Sequence, residues 1–440
     1  MNKTWSEVDL IREAFHYQSR FDRATMVFKI DFPVTLDPLF PSLVNDLALL
    51  AGTGFRVVIV PGAKEWIDDV LVKYNIKTNY KDGLRITSSE AMPFVQMAAF
   101  HTATRFMTGI SSSRREAVIG NFVRARGLGV MDGIDYGNTG TVDKIYVDSL
   151  NHVLELGMIP ILPCIGWSPS GRPYNVSSDE IALLAAVRLK AIKLFIISLN
   201  EGVKKDIYKI PENIETGQNG RIIRLNPGEA ETILKMNSGR ECDDKALQEL
   251  AFALKASGSG IERVHIIKGD EEGAVLKELF SNLGAGTMIH ADEYESIRPL
   301  LSRDIPDVLR LMEPLMQEGF LVRRSQEEIQ NKKEDYAVLE IDGRLHACGA
   351  LHDWGEGQGE IAALATDSAF SDLGLGRRIV RYFIDRAGKA GFRRVFVLTT
   401  RAHDWFESLG FRESDMESLP KNRKQLYDKN RNSKVFALEL

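Results

Sequence analysis

The chain has 440 residues, 44% of them hydrophobic and 27% charged, an ordinary composition for a soluble globular protein of two or three domains. Its net charge of −5 gives no basic surplus, which excludes nucleic acid as the main partner. Cys164, Cys242 and Cys348 are too far apart for a disulfide framework or a metal site, and they favour a reducing cytoplasm. No apolar run reaches the roughly 18 residues that span a membrane, so no membrane partner is predicted.

The first half of the chain predicts one α/β domain over residues 23–290. Residues 1–22 before it predict an amphipathic helix without the apolar core of a signal peptide. The domain then alternates apolar strands with helical stretches, the strands at 26–30, 56–60, 158–163, 193–198 and 263–269, and helices at 39–50 and 177–191. Such alternation indicates a mainly parallel sheet with helices on both faces, which makes three layers.

The pattern changes after a polar stretch at 291–298, which predicts a linker. Residues 299–440 then predict a separate α/β unit. Its elements include a hairpin turning at Asp342 and Gly343, a strand at 359–366, a glycine loop at 371–377 opening a helix, and a strand at 394–400.

The turn after the first strand is unsuited to phosphate. Loops that hold phosphate between a strand and a helix use glycines, because backbone N–H groups must approach the anion. Here the turn reads Asp31-Phe32-Pro33. Asp31 repels phosphate, Phe32 fills the space, and Pro33 has no N–H group. The sequence predicts that a nucleotide-type domain has lost its first phosphate loop.

The glycine loop of the second half has the opposite character. Gly374 and Gly376 let the backbone curl so that several N–H groups converge before a helix. A G-x-G turn alone is more often a plain turn. Its context of strand, loop, helix, strand and a helix ending WFESLGF resembles the GNAT acetyltransferases, although Ser371 departs from their first loop position. The resemblance implies that acetyl-CoA is the co-substrate and that its pyrophosphate is held by Leu373, Gly374, Leu375, Gly376 and Arg377.

Two polar residues of neighbouring strands are candidates for the chemistry. Transfer to an amine needs a general base, and Glu360 on the strand before the loop is placed to serve, unless it merely ends a hairpin. Thr399 or Thr400 can hydrogen-bond a developing oxyanion or thiolate, unless these are ordinary strand residues. The GNAT resemblance implies Glu360 as the catalytic base and Thr399 as its partner.

Nearly the whole chain resembles the bacterial N-acetylglutamate synthases, in which an amino-acid-kinase-like domain precedes a GNAT domain. The motifs that carry this likeness are LVRRS, GEIAALA, VFVLTTRAHDWFESLGF and LPKNRKQLYDKNRNSKV. The resemblance implies that L-glutamate is the acceptor and that Arg324, Arg431 and Ser433 bind it. Arginine binds carboxylate bidentately, and a substrate with two carboxylates suits two cationic partners.

The first half resembles acetylglutamate kinase through VIVPGAKEWIDDVL, PYNVSSDEIA and RVHIIKGDEEGAVLKELFSNLGAGTMI. Lys29 now precedes the blocked turn, and Glu249 falls near the place of an expected second lysine, so phosphoryl transfer is not predicted. The resemblance implies instead an L-arginine sensor, with Glu278, Gly284 and Gly286 at the effector. It also implies a homo-oligomer, such as a hexameric ring, linked by the helix at 1–22.

Four interpretations follow from these observations. The first is an amino-acid N-acetyltransferase that makes N-acetyl-L-glutamate in the first step of arginine synthesis under feedback control by arginine. The second keeps the fold and changes the acceptor to another amino acid or a small amine. The third is an arginine-sensing protein without transferase activity, which the presence of Glu360, Gly374 and Gly376 disfavours. The fourth, an active kinase, is disfavoured by the blocked turn.

Overall fold

A computed structural model of the chain describes residues 21, 23–81, 83–212, 214, 216–217, 219–240, 244–280, 285–290, 295–341, 344–367, 374–428 and 431–440. Apart from Phe21, the helix predicted at 1–22 lies outside the described residues. So do Leu373, Gly284 and the predicted turn at 342–343. The described residues fall into two compact units, one ending at His290 and the other beginning at Glu295.

The first unit alternates strands and helices. Its strands are β1 (Thr25–Ile30), β2 (Arg56–Pro61), β3 (Asn79–Lys81), β4 (Leu84–Ile86), β5 (Ala117–Ile119), β6 (Val123–Gly127), β7 (Val130–Met131), β8 (Ile134–Asp135), β9 (Gly140–Ile145), β10 (Ile159–Ile161), β11 (Ile165–Trp167), β12 (Pro173–Asn175), β13 (Lys193–Ser198), β14 (Arg224–Leu225), β15 (Arg263–Lys268) and β16 (Gly286–His290). Its helices are α1 (Phe40–Gly52), α2 (Lys64–Lys73), α3 (Met92–Ser112), α4 (Val147–Glu155), α5 (Ser178–Arg188), α6 (Pro227–Met236), α7 (Lys245–Gly258) and α8 (Ala274–Phe280). The predicted strands all form.

The main sheet of this unit has the order β14-β16-β15-β13-β1-β2-β10-β5 among the described residues, and only its β15–β16 pair is antiparallel. Successive side chains of a strand point to opposite faces. Accordingly Val27 lies in the core against α5, while Phe28 lies in the core against α1 and α3. Both faces are covered, and the predicted three-layer arrangement is confirmed.

The second unit contains β17 (Glu295–Pro299), α9 (Ile305–Gln317), α10 (Gln326–Asn331), β18 (Tyr336–Ile341), β19 (Arg344–Asp353), β20 (Gln358–Thr366), α11 (Leu375–Lys389), β21 (Arg394–Thr399), α12 (His403–Glu407), β22 (Arg412–Ser414), α13 (Lys421–Gln425) and β23 (Lys434–Glu439). The sheet order is β17-β18-β19-β20-β21-β23-β22, and β20–β21 is the parallel pair among the described strands. One face packs against α11 and the other against α9. No described helix is both long and apolar enough to cross a membrane.

Two boundaries differ from the sequence predictions. The end of the predicted linker 291–298 belongs to β17, which pairs antiparallel with β18. Its polar composition suits the edge of a sheet, where one side of the strand has no neighbour. The predicted glycine loop also ends earlier than expected, because α11 begins at Leu375 with Gly374 as its N-cap. Leu375, Gly376 and Arg377 are therefore the first residues of the helix.

Candidate active site

Two strands of the second sheet separate at Glu360. β20 and β21 pair through three residue pairs, the last of which is Glu360 with Phe396. Beyond this pair β20 continues beside β19 to Thr366, and β21 continues beside β23 to Thr399. Glu360 thus lies at the closed end of a gap between two diverging strands. The backbone groups that face such a gap lack strand partners and can bind an extended ligand.

A bulge distorts one side of this gap. Ala363 has a φ of 55°, and the pairing of β20 with β19 shifts register between Cys348 and Ala350. An extra residue in one strand bends it and re-aims its backbone groups, and such bulges are frequent beside active sites.

Glu360 itself is buried and heavily hydrogen-bonded, with 5% of its surface exposed. Its Oε2 accepts from Trp354 Nε1 at 2.7 Å and from Arg423 Nε at 2.7 Å, and its Oε1 accepts from Arg423 Nη2 at 3.0 Å. A buried carboxylate needs such partners to keep its charge. The structure therefore holds Glu360 in one orientation, as a bidentate pair with Arg423.

Thr399 ends β21 on the far side of the gap. Its Oγ1 accepts from the backbone N–H of Ala402 at 3.0 Å and of Arg401 at 3.3 Å. A hydroxyl group also has one hydrogen to donate. Both contacts use Thr399 as acceptor, and no described residue accepts that hydrogen. Thr399 follows Phe396, the strand partner of Glu360, by three residues.

The N-terminus of α11 lies at the end of β20. Gly374 has a φ of 62°, a left-handed conformation that glycine adopts without steric strain. Gly376 faces Trp405, whose Cζ2 lies 3.2 Å from where a Cβ would be, and Thr366 Cγ2 is 3.6 Å away. A side chain there would crowd the tryptophan. The free N–H groups of this 15-residue helix suit a pyrophosphate, as the sequence predicts.

Arg431, one of the predicted substrate arginines, contacts the segment that leads to Arg324, the other. Arg431 donates to the carbonyl oxygen of Phe320, and the guanidinium of Arg401 lies 4.3 Å from the Phe320 ring centroid. Burial, and then the charge of Arg324, lower the pKa of Arg431. Two neighbouring guanidinium groups repel each other, and a ligand with two carboxylates relieves that repulsion.

Ser433 is buried, and its carbonyl oxygen accepts from the Tyr427 hydroxyl at 2.7 Å. Arg324 makes its described hydrogen bond to the carbonyl oxygen of Val322 at 3.2 Å. The structure therefore joins Arg431 to the segment that precedes Arg324, and Ser433 lies two residues after Arg431 on a segment held by Tyr427.

In the first unit, the blocked turn is filled by side chains. Phe32 is buried and stacks on Trp66 with ring centroids 5.5 Å apart. Lys29 Nζ lies 2.7 Å from Asp31 and 2.9 Å from Asp179. Burial opposes the charge on Lys29, but the two carboxylates outweigh it and raise the pKa of Lys29. The cation that would meet a phosphate is neutralised within the protein.

Glu249 stands where a second cation was expected. It is buried, Asn200 Nδ2 donates to its Oε1 at 2.7 Å, and burial raises the pKa of the Glu249 carboxyl. Glutamate supplies no positive charge where a lysine would attract phosphate. Within the described part of the chain, no group of three or more His, Cys, Asp or Glu residues is placed to hold a metal ion.

Glu278, predicted at the effector, is held by its own unit. Its carboxylate accepts from the N–H groups of Ala285 at 2.6 Å and Gly286 at 3.0 Å, and it lies 2.6 Å from His265 Nδ1. Burial opposes ionisation of Glu278, but the hydrogen bonds outweigh it and lower its pKa. Burial also lowers the pKa of His265 to about 4. Glu278 is thus a charged acceptor for neutral donors, and it fixes the backbone that includes Gly286.

The residues that sequence reasoning missed are the partners of these carboxylates. Arg423 and Trp354 contact Glu360, and His265 contacts Glu278. Arg423 lies within LPKNRKQLYDKNRNSKV, a motif that carries the family resemblance, but the sequence analysis assigns no role to Arg423. Nothing in the sequence pattern pairs it with a glutamate 63 residues earlier.

Comparison with known proteins agrees with this geometry. The amino acid kinase family matches residues 32–226, and the acetyltransferase (GNAT) family matches residues 305–411. The amino-acid acetyltransferase of Vibrio cholerae is 33% identical over 445 residues, covering 98% of this chain and 97% of that protein. The enzyme of the same name from Escherichia coli is 33% identical over 412 residues, covering 91% and 90%.

A solved structure is similar over almost the whole chain. It is N-acetylglutamate synthase from Neisseria gonorrhoeae complexed with coenzyme A and L-arginine, with 30% identity, a TM-score of 0.84, and coverage of 99% of this chain and 100% of that one. A structure of the same protein with coenzyme A and N-acetyl-glutamate gives a TM-score of 0.61 at 32% identity and the same coverage. The predicted fold and enzyme class are confirmed, and the chain belongs to the amino-acid acetyltransferase family, with an amino acid kinase unit followed by a GNAT unit.

Proposed function

We propose that the chain transfers the acetyl group of acetyl-CoA to the α-amine of L-glutamate, giving N-acetyl-L-glutamate and CoA, the first step of arginine synthesis. The observation that carries this proposal is the buried carboxylate of Glu360 at the closed end of the gap between β20 and β21. The Neisseria gonorrhoeae relative, which binds coenzyme A and N-acetyl-glutamate, supports it.

Glu360 acts as the general base. The α-amine is mostly protonated at neutral pH, and it must lose a proton before its nitrogen attacks the thioester carbonyl. Glu360 accepts that proton, directly or through one water. The new N–C bond forms, the C–S bond breaks, and the nitrogen gives up its second proton. The departing thiolate of CoA takes up that proton and leaves as the thiol. The Thr399 hydroxyl donates a hydrogen bond to the negative charge that develops on oxygen or sulfur.

The N-terminus of α11 holds the pyrophosphate of acetyl-CoA. Gly374 and Gly376 keep the approach free of side chains, and Leu375 and Arg377 offer backbone N–H groups in the first turn of the helix. Leu373 belongs to the same proposed site. The gap between β20 and β21 takes the pantetheine arm.

Arg324, Arg431 and Ser433 select glutamate. The repulsion between the charges of Arg324 and Arg431 supports a dicarboxylate substrate, because each guanidinium can bind one carboxylate and that repulsion is then neutralised. Ser433 assists Arg431. This proposal separates glutamate from amino acids with a single carboxylate.

L-Arginine regulates the enzyme through the first unit. The structure of the relative with coenzyme A and L-arginine supports this proposal. Arginine binds near Gly284 and Gly286, and Glu278 fixes that backbone through Ala285 and Gly286. The enzyme works in the cytoplasm as a homo-oligomer, a hexamer in which the helix at 1–22 joins dimers. Light scattering of the full chain tests the hexamer.

One assay tests the reaction and its regulation together. CoA release is measured with each of the twenty amino acids as acceptor, with and without arginine. Glutamate should be by far the best acceptor, and arginine should change its rate without acting as a simple competitor of either substrate. Equal rates with glutamine and glutamate would reject the dicarboxylate argument. If residues 292–440 expressed alone fold and respond to arginine as the full chain does, the first unit is not the sensor.

A further inference from the structure

The carboxylate of Glu360 has almost no free acceptor capacity. A carboxylate offers about four lone-pair positions, two on each oxygen. Trp354 and Arg423 occupy both positions of Oε2, and a second nitrogen of Arg423 occupies one position of Oε1. Among the described residues no other donor contacts this carboxylate, so one position, on Oε1, remains for the proton of the substrate.

Arg423 is itself anchored on several sides. Its Nη1 donates to the carbonyl oxygen of Leu426 at 3.2 Å, and its guanidinium lies 5.4 Å from the centroid of the Trp354 ring. It belongs to α13, which follows Pro420. All three guanidinium nitrogens therefore have acceptors, and the planar group cannot turn without losing a hydrogen bond to Glu360.

We propose that Arg423 is a positioning residue for the transfer reaction, which clamps Glu360 as an ionised base with one acceptor position on Oε1 directed at the substrate amine. This inference rests on the proposed role of Glu360 as base. The two-point contact of Arg423 sets the orientation of the carboxylate. Trp354 occupies the remaining acceptor position of Oε2, so the substrate proton is transferred to Oε1.

The charged groups around Glu360 allow a clean test. On the neighbouring strand β19, His352 lies directly opposite Glu360, and its Nδ1 is 2.6 Å from Asp335. On β21 the partner of Glu360 is the apolar Phe396. On α13 the contact is Arg423, while the adjacent Lys424 pairs with the exposed Glu417 at 2.8 Å. Lys424→Gln is therefore a matched control that changes charge on the same short helix without touching Glu360.

The test compares Arg423→Gln, Arg423→Lys and Lys424→Gln in the full-length enzyme. Arg423→Gln should lower kcat by about 10²-fold, as expected for a misplaced catalytic group, and leave the KM for acetyl-CoA within about twofold. The acidic limb of its kcat profile should move to higher pH, because the cation that favours the ionised carboxylate is gone. Arg423→Lys keeps the positive charge but loses the two-point guanidinium contact. The acidic limb of its kcat profile should therefore stay closer to that of the wild type. Lys424→Gln should match wild type.

The double variant Glu360→Gln/Arg423→Gln separates positioning from a general structural effect. If Arg423 acts through Glu360, the second substitution adds almost nothing to the loss caused by Glu360→Gln. Additive losses, an unmoved acidic limb, or an Arg423→Gln enzyme as fast as wild type each overturn the inference. CoA binding by calorimetry shows whether each variant is folded. Should Glu360→Gln alone keep wild-type kcat, the proposed base fails, and that result is distinct from a failure of the clamp.

Discussion

In each unit a strand is followed in sequence by a helix. The two units differ in whether backbone N–H groups after the strand are free to bind an anion. After β1, the turn packs Phe32 on Trp66 and pairs Lys29 with Asp31. In the second unit, α11 follows β20 in sequence and begins after Gly374, which has a left-handed conformation. The turn after β1 is filled by an aromatic ring and a charged pair, whereas the N-terminus of α11 presents the N–H groups of a helix.

This difference shows how a phosphate site is lost while its fold is kept. The sheet around β1 is buried and paired on both sides, so it does not depend on the turn. Replacing glycine by a bulky ring and enclosing a lysine between carboxylates removes the anion site and leaves the core intact. This agrees with our proposal that the first unit regulates and the second carries out the chemistry.

Glu360→Gln should have the largest effect. Glutamine keeps the shape of the side chain and removes the base, so kcat should fall by about 10²-fold or more at neutral pH, with acetyl-CoA binding nearly unchanged. Steady-state kinetics and CoA calorimetry check both parts. The exposed Glu417→Gln is the control, and it should behave as wild type. A Glu360→Gln enzyme with near wild-type kcat would remove Glu360 from the mechanism.

Substitution of Arg324 or Arg431, which are proposed to bind glutamate, should weaken glutamate binding. Arg431→Gln or Arg324→Gln removes a charge-assisted interaction of about 1.5–3 kcal/mol, so the KM for glutamate should rise about 10- to 150-fold. The KM for acetyl-CoA should change much less, because the helix N-terminus is a separate site. Arg323→Gln, next to Arg324 in the sequence and exposed, is the matched control. A larger effect of Arg323 than of Arg324 would reassign the site.

The sequence predicts the strands and the position of Glu360 better than it predicts which residues pair with the buried carboxylates. Strands such as β1 and β13 were predictable because their apolar runs are buried throughout. The position of Glu360 followed from the family motif, but its pair with Arg423 depends on tertiary packing between distant segments. Glu278 was expected to face arginine or solvent. Charged side chains are rarely buried without partners. Glu278 lies on α8 and its partner His265 on β15, a pairing that no local pattern reveals.

A buried carboxylate without a cation should respond to pH in the opposite way to an ion pair. Asp46 is buried, and no described residue donates to its Oδ2. Burial, and then the charge of Glu272, raise the pKa of Asp46 to about 6. The folded state thus holds this proton more tightly than the unfolded state, and stability falls as pH rises from about 4 to 6.

Asp46→Asn should therefore stabilise the first unit by about 1–3 kcal/mol at pH 7.5, with the advantage disappearing as pH approaches 4. Thermal unfolding across this range is the measurement. Asp68→Asn should do the reverse at pH 7.5, because it leaves the buried Arg85 without its 2.5 Å partner. A wild-type protein more stable than Asp46→Asn at every pH would contradict the assignment.

ATP should have no effect on the melting temperature, the smallest effect among these predictions. A ligand that binds the folded state raises the melting temperature, and one that does not bind leaves it unchanged. Millimolar ATP should leave the melting temperature unaltered, whereas CoA should raise it. Phe32→Gly should not restore ATP binding, because Lys29 stays paired with Asp31 and Asp179, and Glu249 offers no positive charge to phosphate. Acetylglutamyl phosphate formed from ATP and N-acetylglutamate by the purified protein would show that the first unit is still a kinase.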